Sequence, residues 1–141
     1  MLFVIPAAAD DTPLAKQMEI LNDAYKAIKK EQDPAKGAAL AKEAQDAMVK
    51  AILELPEMVK AMPEGPDKAK ASAEYRKMKG TFISALADME LAFHNKDLEK
   101  VKTIVEQLRE SKKQGHDKFM DEDEWLIASQ KKPARMILRA F

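Results

Sequence analysis

The sequence predicts an all-α protein, an antiparallel up-down-up-down four-helix bundle, and three observations carry that expectation. Alanine, glutamate, lysine, leucine and arginine supply 72 of the 141 residues, about the half that marks long helices. Valine, isoleucine and threonine number only 16 and glycine four, too few for the strands and turns of a sheet protein. Apolar residues recur at alternating spacings of three and four along four segments joined mostly by short connections, the pattern of an up-down bundle.

Thr12-Pro13 reads as an N-cap followed by proline at the first helical position. Leu14, Met18, Leu21, Tyr25 and Ile28 then step by 4, 3, 4 and 3, which sets the first helix at about 13–31. Asp33-Pro34 repeats the start signal, and Leu40, Ala44, Ala47, Ala51 and Leu55 carry a stripe up to Pro56. Pro56, Pro63, Gly65 and Pro66 mark 56–66 as a connection with room for one helical turn from Glu57 to Met62. The third helix opens at Asp67, carries Tyr75, Met78, Phe82, Ala85, Met89 and Phe93, and stops at His94-Asn95. Gly80 weakens its middle, and His94 reads as a capping or surface residue. Asp97 caps the fourth helix, whose stripe is Leu98, Val101, Val105 and Leu108, then the less apolar Lys112 to His116, and finally Phe119. This helix runs to at least 120.

Three regions follow: a residual signal-like segment over 1–9, the bundle domain over 10–120, and a C-terminal extension over 121–141. Met1 to Ala9 is the longest charge-free apolar stretch, far short of the roughly 20 residues that cross a bilayer. It resembles the end of a secretory signal, with Ala7 and Ala9 spaced as in an A-x-A cleavage site but without a basic n-region. Periplasmic localisation is the expectation. The extension holds the acidic run Asp121 to Glu124, a solvated charge run rather than a cation site, then Trp125-Leu126-Ile127 and a basic tail. It is expected to extend the helix and then fray, with docking as the alternative.

Twenty-four basic residues balance twenty-four acidic ones, so the surplus that nucleic acid or an anionic membrane would attract is missing. Neither nucleic acid nor a membrane span is expected, and the chain is expected to be a monomer or weak dimer. The absence of cysteine excludes disulfides, thiolate metal sites and covalent c-type haem attachment. No nucleotide-binding, nucleophile-elbow or histidine-rich metal motif is present, and two histidines cannot build a multi-histidine site.

Met18 and His116 remain as the informative pair. Met18 lies on the apolar stripe of the first helix, where methionine is ordinarily core filler. His116 lies three turns beyond Val105 on the fourth helix, near Phe119 on the same face. Up-down-up-down topology brings the start of the first helix and the end of the fourth to one end of the bundle, so the two are candidates to face each other. A thioether and an imidazole on opposite sides of a flat apolar cofactor form one of the axial sets that hold haem iron.

Leu14-x-x-x-Met18-Glu19-x-Leu21-Asn22-Asp23, Glu74-Tyr75-Arg76, and Glu106-Gln107-Leu108-Arg109 followed by His116-x-Lys118-Phe119 resemble the soluble cytochrome b562 family over about 10–120. That resemblance implies the bundle fold, one non-covalent haem b per chain, and electron transfer to unidentified redox partner proteins rather than enzymatic activity. It implies Met18 and His116 as the axial ligands of the iron. Leu21, Tyr25 and Tyr75 fall on its pocket positions, and Met48 and Phe82 are expected to pack against the porphyrin beside them. In place of the family's usual residues the chain has Tyr75 for phenylalanine, Lys112 for arginine and Gly115 for an aromatic. The alternative is a haem-free periplasmic bundle that serves as a binding or interaction module, with Met18 as packing and His116 as a satisfied histidine.

Overall fold

The computed structural model describes residues 12–119. The signal-like segment 1–9 and the extension 121–141 lie outside the described residues. Five helices follow in order: α1 (Pro13–Lys30), α2 (Pro34–Ala51), the single turn α3 (Glu57–Lys60), α4 (Pro66–His94) and α5 (Leu98–Phe119). The four long helices form the antiparallel bundle, and among the described residues there is no strand. None of these helices is long and apolar enough to cross a membrane.

The start signals act as their chemistry predicts. The Thr12 hydroxyl accepts from the backbone N–H of Ala15 at 3.0 Å. The Asp33 carboxylate accepts from Ala35 at 2.9 Å, and the Asp97 carboxylate accepts from Lys100 at 3.1 Å. Each satisfies an amide that has no partner inside its helix. The expected single turn between Pro56 and Pro66 is α3, whose Val59 is buried against Tyr75.

Two expectations are corrected. α2 ends at Ala51 rather than running to Leu55, because a residue before proline is pushed out of the helical region and the chain must tighten before Pro56. Leu53 and Glu54 donate to carbonyls three residues back, and the Tyr75 hydroxyl donates to the Ala51 carbonyl at 3.0 Å. The seam of α4 also differs: Ser72, Tyr75, Lys79, Phe82, Leu86, Met89 and Phe93 are buried, whereas Met78 and Ala85 are only half-buried. An unbroken three-four progression runs through Lys79, which a purely apolar stripe steps around.

α2 contributes the smallest side chains to the core, Gly37, Ala38, Ala41, Ala44, Ala47 and Ala51, with Met48 beside them. Backbones approach closely between α1 and α2, α2 and α4, and α4 and α5, while the approach between α1 and α5 is looser. Gly37 marks the tightest crossing, since a Cβ there would overlap the ring of the fully buried Phe93 on α4. Gly80 is exposed, with open space where a Cβ would stand.

These two glycines should respond in opposite directions to one substitution. Gly37→Ala is expected to destabilise the bundle by about 1–3 kcal/mol through overpacking. Gly80→Ala is expected to stabilise it by about 1 kcal/mol through helix propensity. Urea denaturation of the two variants beside wild type reads both; equal shifts of one sign would contradict the packing assigned to α2 and α4.

Candidate haem site

The end of the bundle that holds the start of α1 also receives the end of α2, the start of α4 and the end of α5, as the antiparallel order requires. Met18 is 6 % exposed and belongs to the main core with Leu21, Met48 and Phe82, while half-buried Tyr25 packs against them. Tyr75 stands apart in a smaller cluster with Val59, flanked by Leu55, Met62, Ala71 and Met78. Of the seven residues expected at the site, four therefore share one core cluster and Tyr25 borders it. His116 is described by its backbone alone, as a position on α5.

Long side chains span the looser α1/α5 pair. The Tyr25 hydroxyl donates to the Val105 carbonyl at 3.2 Å, and the Lys112 ammonium donates to the Asn22 amide oxygen at 2.6 Å. Burial pushes the Tyr25 phenol pKa up, helped by the Glu106 carboxylate and opposed by Arg109. The contact between Asn22 and Lys112 also ties the two antiparallel helices together near this end. One turn back along α1 is position 18 and one turn forward along α5 is position 116, so both positions lie at this end of the bundle.

Lys79 is the residue at this end that sequence reasoning missed. It is 7 % exposed, and its ammonium lies 3.6 Å from the Met18 sulfur and 5.5 Å from the centre of the Tyr75 ring. A thioether is a weak acceptor, and among the described residues no carboxylate pairs with this ammonium. Burial, followed by the nearby Lys112 charge, lowers its pKa to about 8. Burial likewise lowers the pKa of Lys112, aided by Lys26 and Lys29. The signal that could have revealed Lys79 was its spacing, four after Tyr75 and three before Phe82 on one face.

Gly115 is buried because α5 crosses close to α4 there: a Cβ would stand 2.7 Å from the Met78 sulfur. Just beyond it, the Lys118 ammonium pairs with the Glu74 carboxylate at 2.9 Å and holds that carboxyl below its ordinary pKa. The expected role of His94 agrees with its exposed place at the end of α4. Among the described residues no three histidine, cysteine or carboxylate side chains gather as a metal site.

This end of the bundle offers a buried soft sulfur donor, a position on α5 that carries an imidazole, and a pair of cations among apolar residues. That donor set fits a flat apolar cofactor with carboxylate substituents. The fit has one condition: the Lys79 ammonium must leave the space beside the sulfur.

The fold and its donors thus define a four-helix bundle with one pair of helices joined mainly by long side chains. The family described as Cytochrome b562 matches residues 13–120, and the chain belongs to that family. No curated protein and no solved structure matches the chain. Cytochromes b562 are electron carriers rather than enzymes and bind haem b without covalent bonds.

Lys79 makes the stability of the haem-free protein depend on pH. Below about pH 8 its amine is charged in both states, and the folded protein bears the whole cost of burying it. Between about 8 and 10.5 the folded protein loses the proton while the unfolded chain retains it, so stability rises across that window. Lys79→Met is therefore expected to be more stable than wild type at pH 7, with the gap narrowing by up to roughly 3 kcal/mol as pH approaches 10.5. Denaturation at pH 7, 8, 9 and 10 measures it; a gap independent of pH would show that the ammonium is not held in a dry site.

Proposed function

We propose that this protein is a periplasmic haem b electron carrier in which the Met18 thioether and the His116 imidazole supply the two axial ligands, one haem per chain. The observation that carries the proposal is the contact between Asn22 and Lys112 across α1 and α5, one helical turn short of position 18 on one helix and of position 116 on the other. When bound, haem would supply one-electron ferric/ferrous chemistry, and two protein ligands would leave no open position for oxygen or substrate.

The chain's residues would contribute binding, orientation and dryness. Leu21, Met48 and Phe82 offer core surface from three helices, Tyr25 packs against that core, and Tyr75 offers an aromatic face from the smaller cluster beside it. Burial of porphyrin faces against such walls drives uptake. Lys112, half-buried at the α1/α5 seam, suits a carboxylate substituent. Bundle formation by 10–120 and a signal-like role for 1–9 belong to the same proposal; periplasmic placement is supported by the Ala7-x-Ala9 pattern and the family. Its partners would be redox proteins that exchange one electron.

One observation favours the haem-free alternative: the Lys79 ammonium rests where a cofactor would approach Met18. The two are separated by axial-ligand variants. His116→Ala is expected to lose low-spin haem spectra and weaken hemin binding at least tenfold. Met18→Ala is expected to bind hemin with an altered ferrous spectrum and a lower reduction potential, since a Met/His pair raises the potential. Variants indistinguishable from wild type in spectrum and potential would contradict the axial assignment.

A further inference from the structure

We propose that the segment 121–141 folds back across the end of its own bundle and lays Trp125, Leu126 and Ile127 on the outer surface that carries Val49, Leu53 and Met58. Haem has no part in this contact.

Among the described residues five large apolar side chains are exposed, and three of them, Val49, Leu53 and Met58, fall between positions 49 and 58. Val49 and Leu53 are one helical turn apart at the end of α2, and Met58 follows on α3. Leu53 is 81 % exposed, Val49 49 % and Met58 44 %. Half-buried Ile52, Leu55 and Met62 accompany them in sequence. A single apolar side chain on a surface is ordinary, whereas several gathered at one end of a domain mark a surface that something covers.

α5 brings the chain to that same end. Its Lys118 pairs with Glu74 at 2.9 Å, and the next residue of α4, Tyr75, donates to the Ala51 carbonyl at the end of α2 and packs against Val59 of α3. α2 and α5 both pack on α4 and stand on a diagonal of the bundle, about 11–14 Å apart for neighbours spaced at 8–10 Å. Trp125 and Ile127 follow Phe119 by six and eight residues, a reach of about 20–26 Å at about 3.3 Å per extended residue. The segment is long enough to cross.

Its residues match what lies along that path. Trp125-Leu126-Ile127, Met136-Ile137-Leu138 and Phe141 are apolar groups in search of cover. Before them comes the acidic run Asp121-Glu122-Asp123-Glu124, which starts three residues after Lys118. Around that point the Lys118 ammonium most strongly, then Lys70 and Lys77, hold the Glu74 carboxyl below its ordinary pKa. Three ammonium groups about one carboxylate leave a surplus of positive charge where the acidic run departs. Attachment to the same chain then favours this occupant over a separate partner, because a short tether holds it at a local concentration in the millimolar range.

Trp125 is the chain's single tryptophan, so its fluorescence reports on this contact alone. The test uses the full chain before hemin is added and compares wild type, Val49→Asp, Leu53→Asp, Met58→Asp and, near the far end of α4, the exposed control Leu91→Asp. Emission maxima and acrylamide quenching are recorded over a hundredfold range of protein concentration, and far-ultraviolet circular dichroism confirms helicity. Wild type is expected to emit to the blue of N-acetyltryptophanamide, to be quenched less than that compound, and to do so at every concentration. Leu53→Asp and its two neighbours should move emission and quenching toward those of the free compound, and Leu91→Asp should match wild type.

Wild-type emission that coincides with N-acetyltryptophanamide would overturn the proposal. So would a blue-shifted emission that survives all three substitutions, which would place Trp125 on another surface. A blue shift that disappears on dilution would also overturn it, and would show that a second copy of the chain provides the cover.

Discussion

The alanine face of α2 is the constraint on which the bundle depends. Gly37, Ala38, Ala41, Ala44, Ala47 and Ala51 add little beyond the backbone, so α1 and α4 can both approach α2 closely, and α5 then packs on α4. A glycine against a fully buried phenylalanine ring shows how little space remains there. With two helix pairs drawn together by the small residues of α2 and α5 packed on α4, the remaining pair, α1 and α5, is spanned by the long reach of Tyr25 and Lys112. Asymmetry in side-chain size thereby becomes asymmetry in spacing, and the looser pair is the one that carries Met18 and His116.

That spacing has a chemical consequence at one end only. Farther along, α1 and α4 supply Leu21, Ile28, Leu86, Met89 and Phe93 to an apolar core. Near Met18 the same seam carries Lys79, whose charge is unmatched among the described residues, and Lys112 stands close enough to depress its pKa further. Two buried or half-buried cations in one place reduce the stability of the empty bundle. Such a cost at one end of an otherwise well-packed core is the usual mark of a site kept for binding rather than for folding.

Much of this was legible in the residues. The three caps, Thr12, Asp33 and Asp97, were readable because a short polar side chain before a helical run has one main use, and two of them precede a proline. The stripe of α1 was readable because each of its members is apolar or aromatic. The seam of α4 was not, because its third member is a lysine: the apolar neighbours Met78 and Ala85 imitate a stripe one residue away from the true one. The early end of α2 depends on Pro56, five residues beyond its last helical residue, and on a hydroxyl from Tyr75, a long-range contact that no local pattern reports. Expectations for 1–9 and 121–141 lie outside the described residues. That positions 18 and 116 share one end of the bundle was legible from topology, since up-down order brings the start of α1 and the end of α5 together.

The most direct measurement of the central claim, that the α1/α5 seam receives haem, is a hemin titration of the wild-type protein followed by reduction with dithionite. The account predicts a sharp Soret band that saturates at one haem per chain, with split visible bands on reduction. Absorbance that rises without saturation and keeps the spectrum of free hemin would contradict it, and would leave a bundle whose buried lysine and methionine serve another purpose.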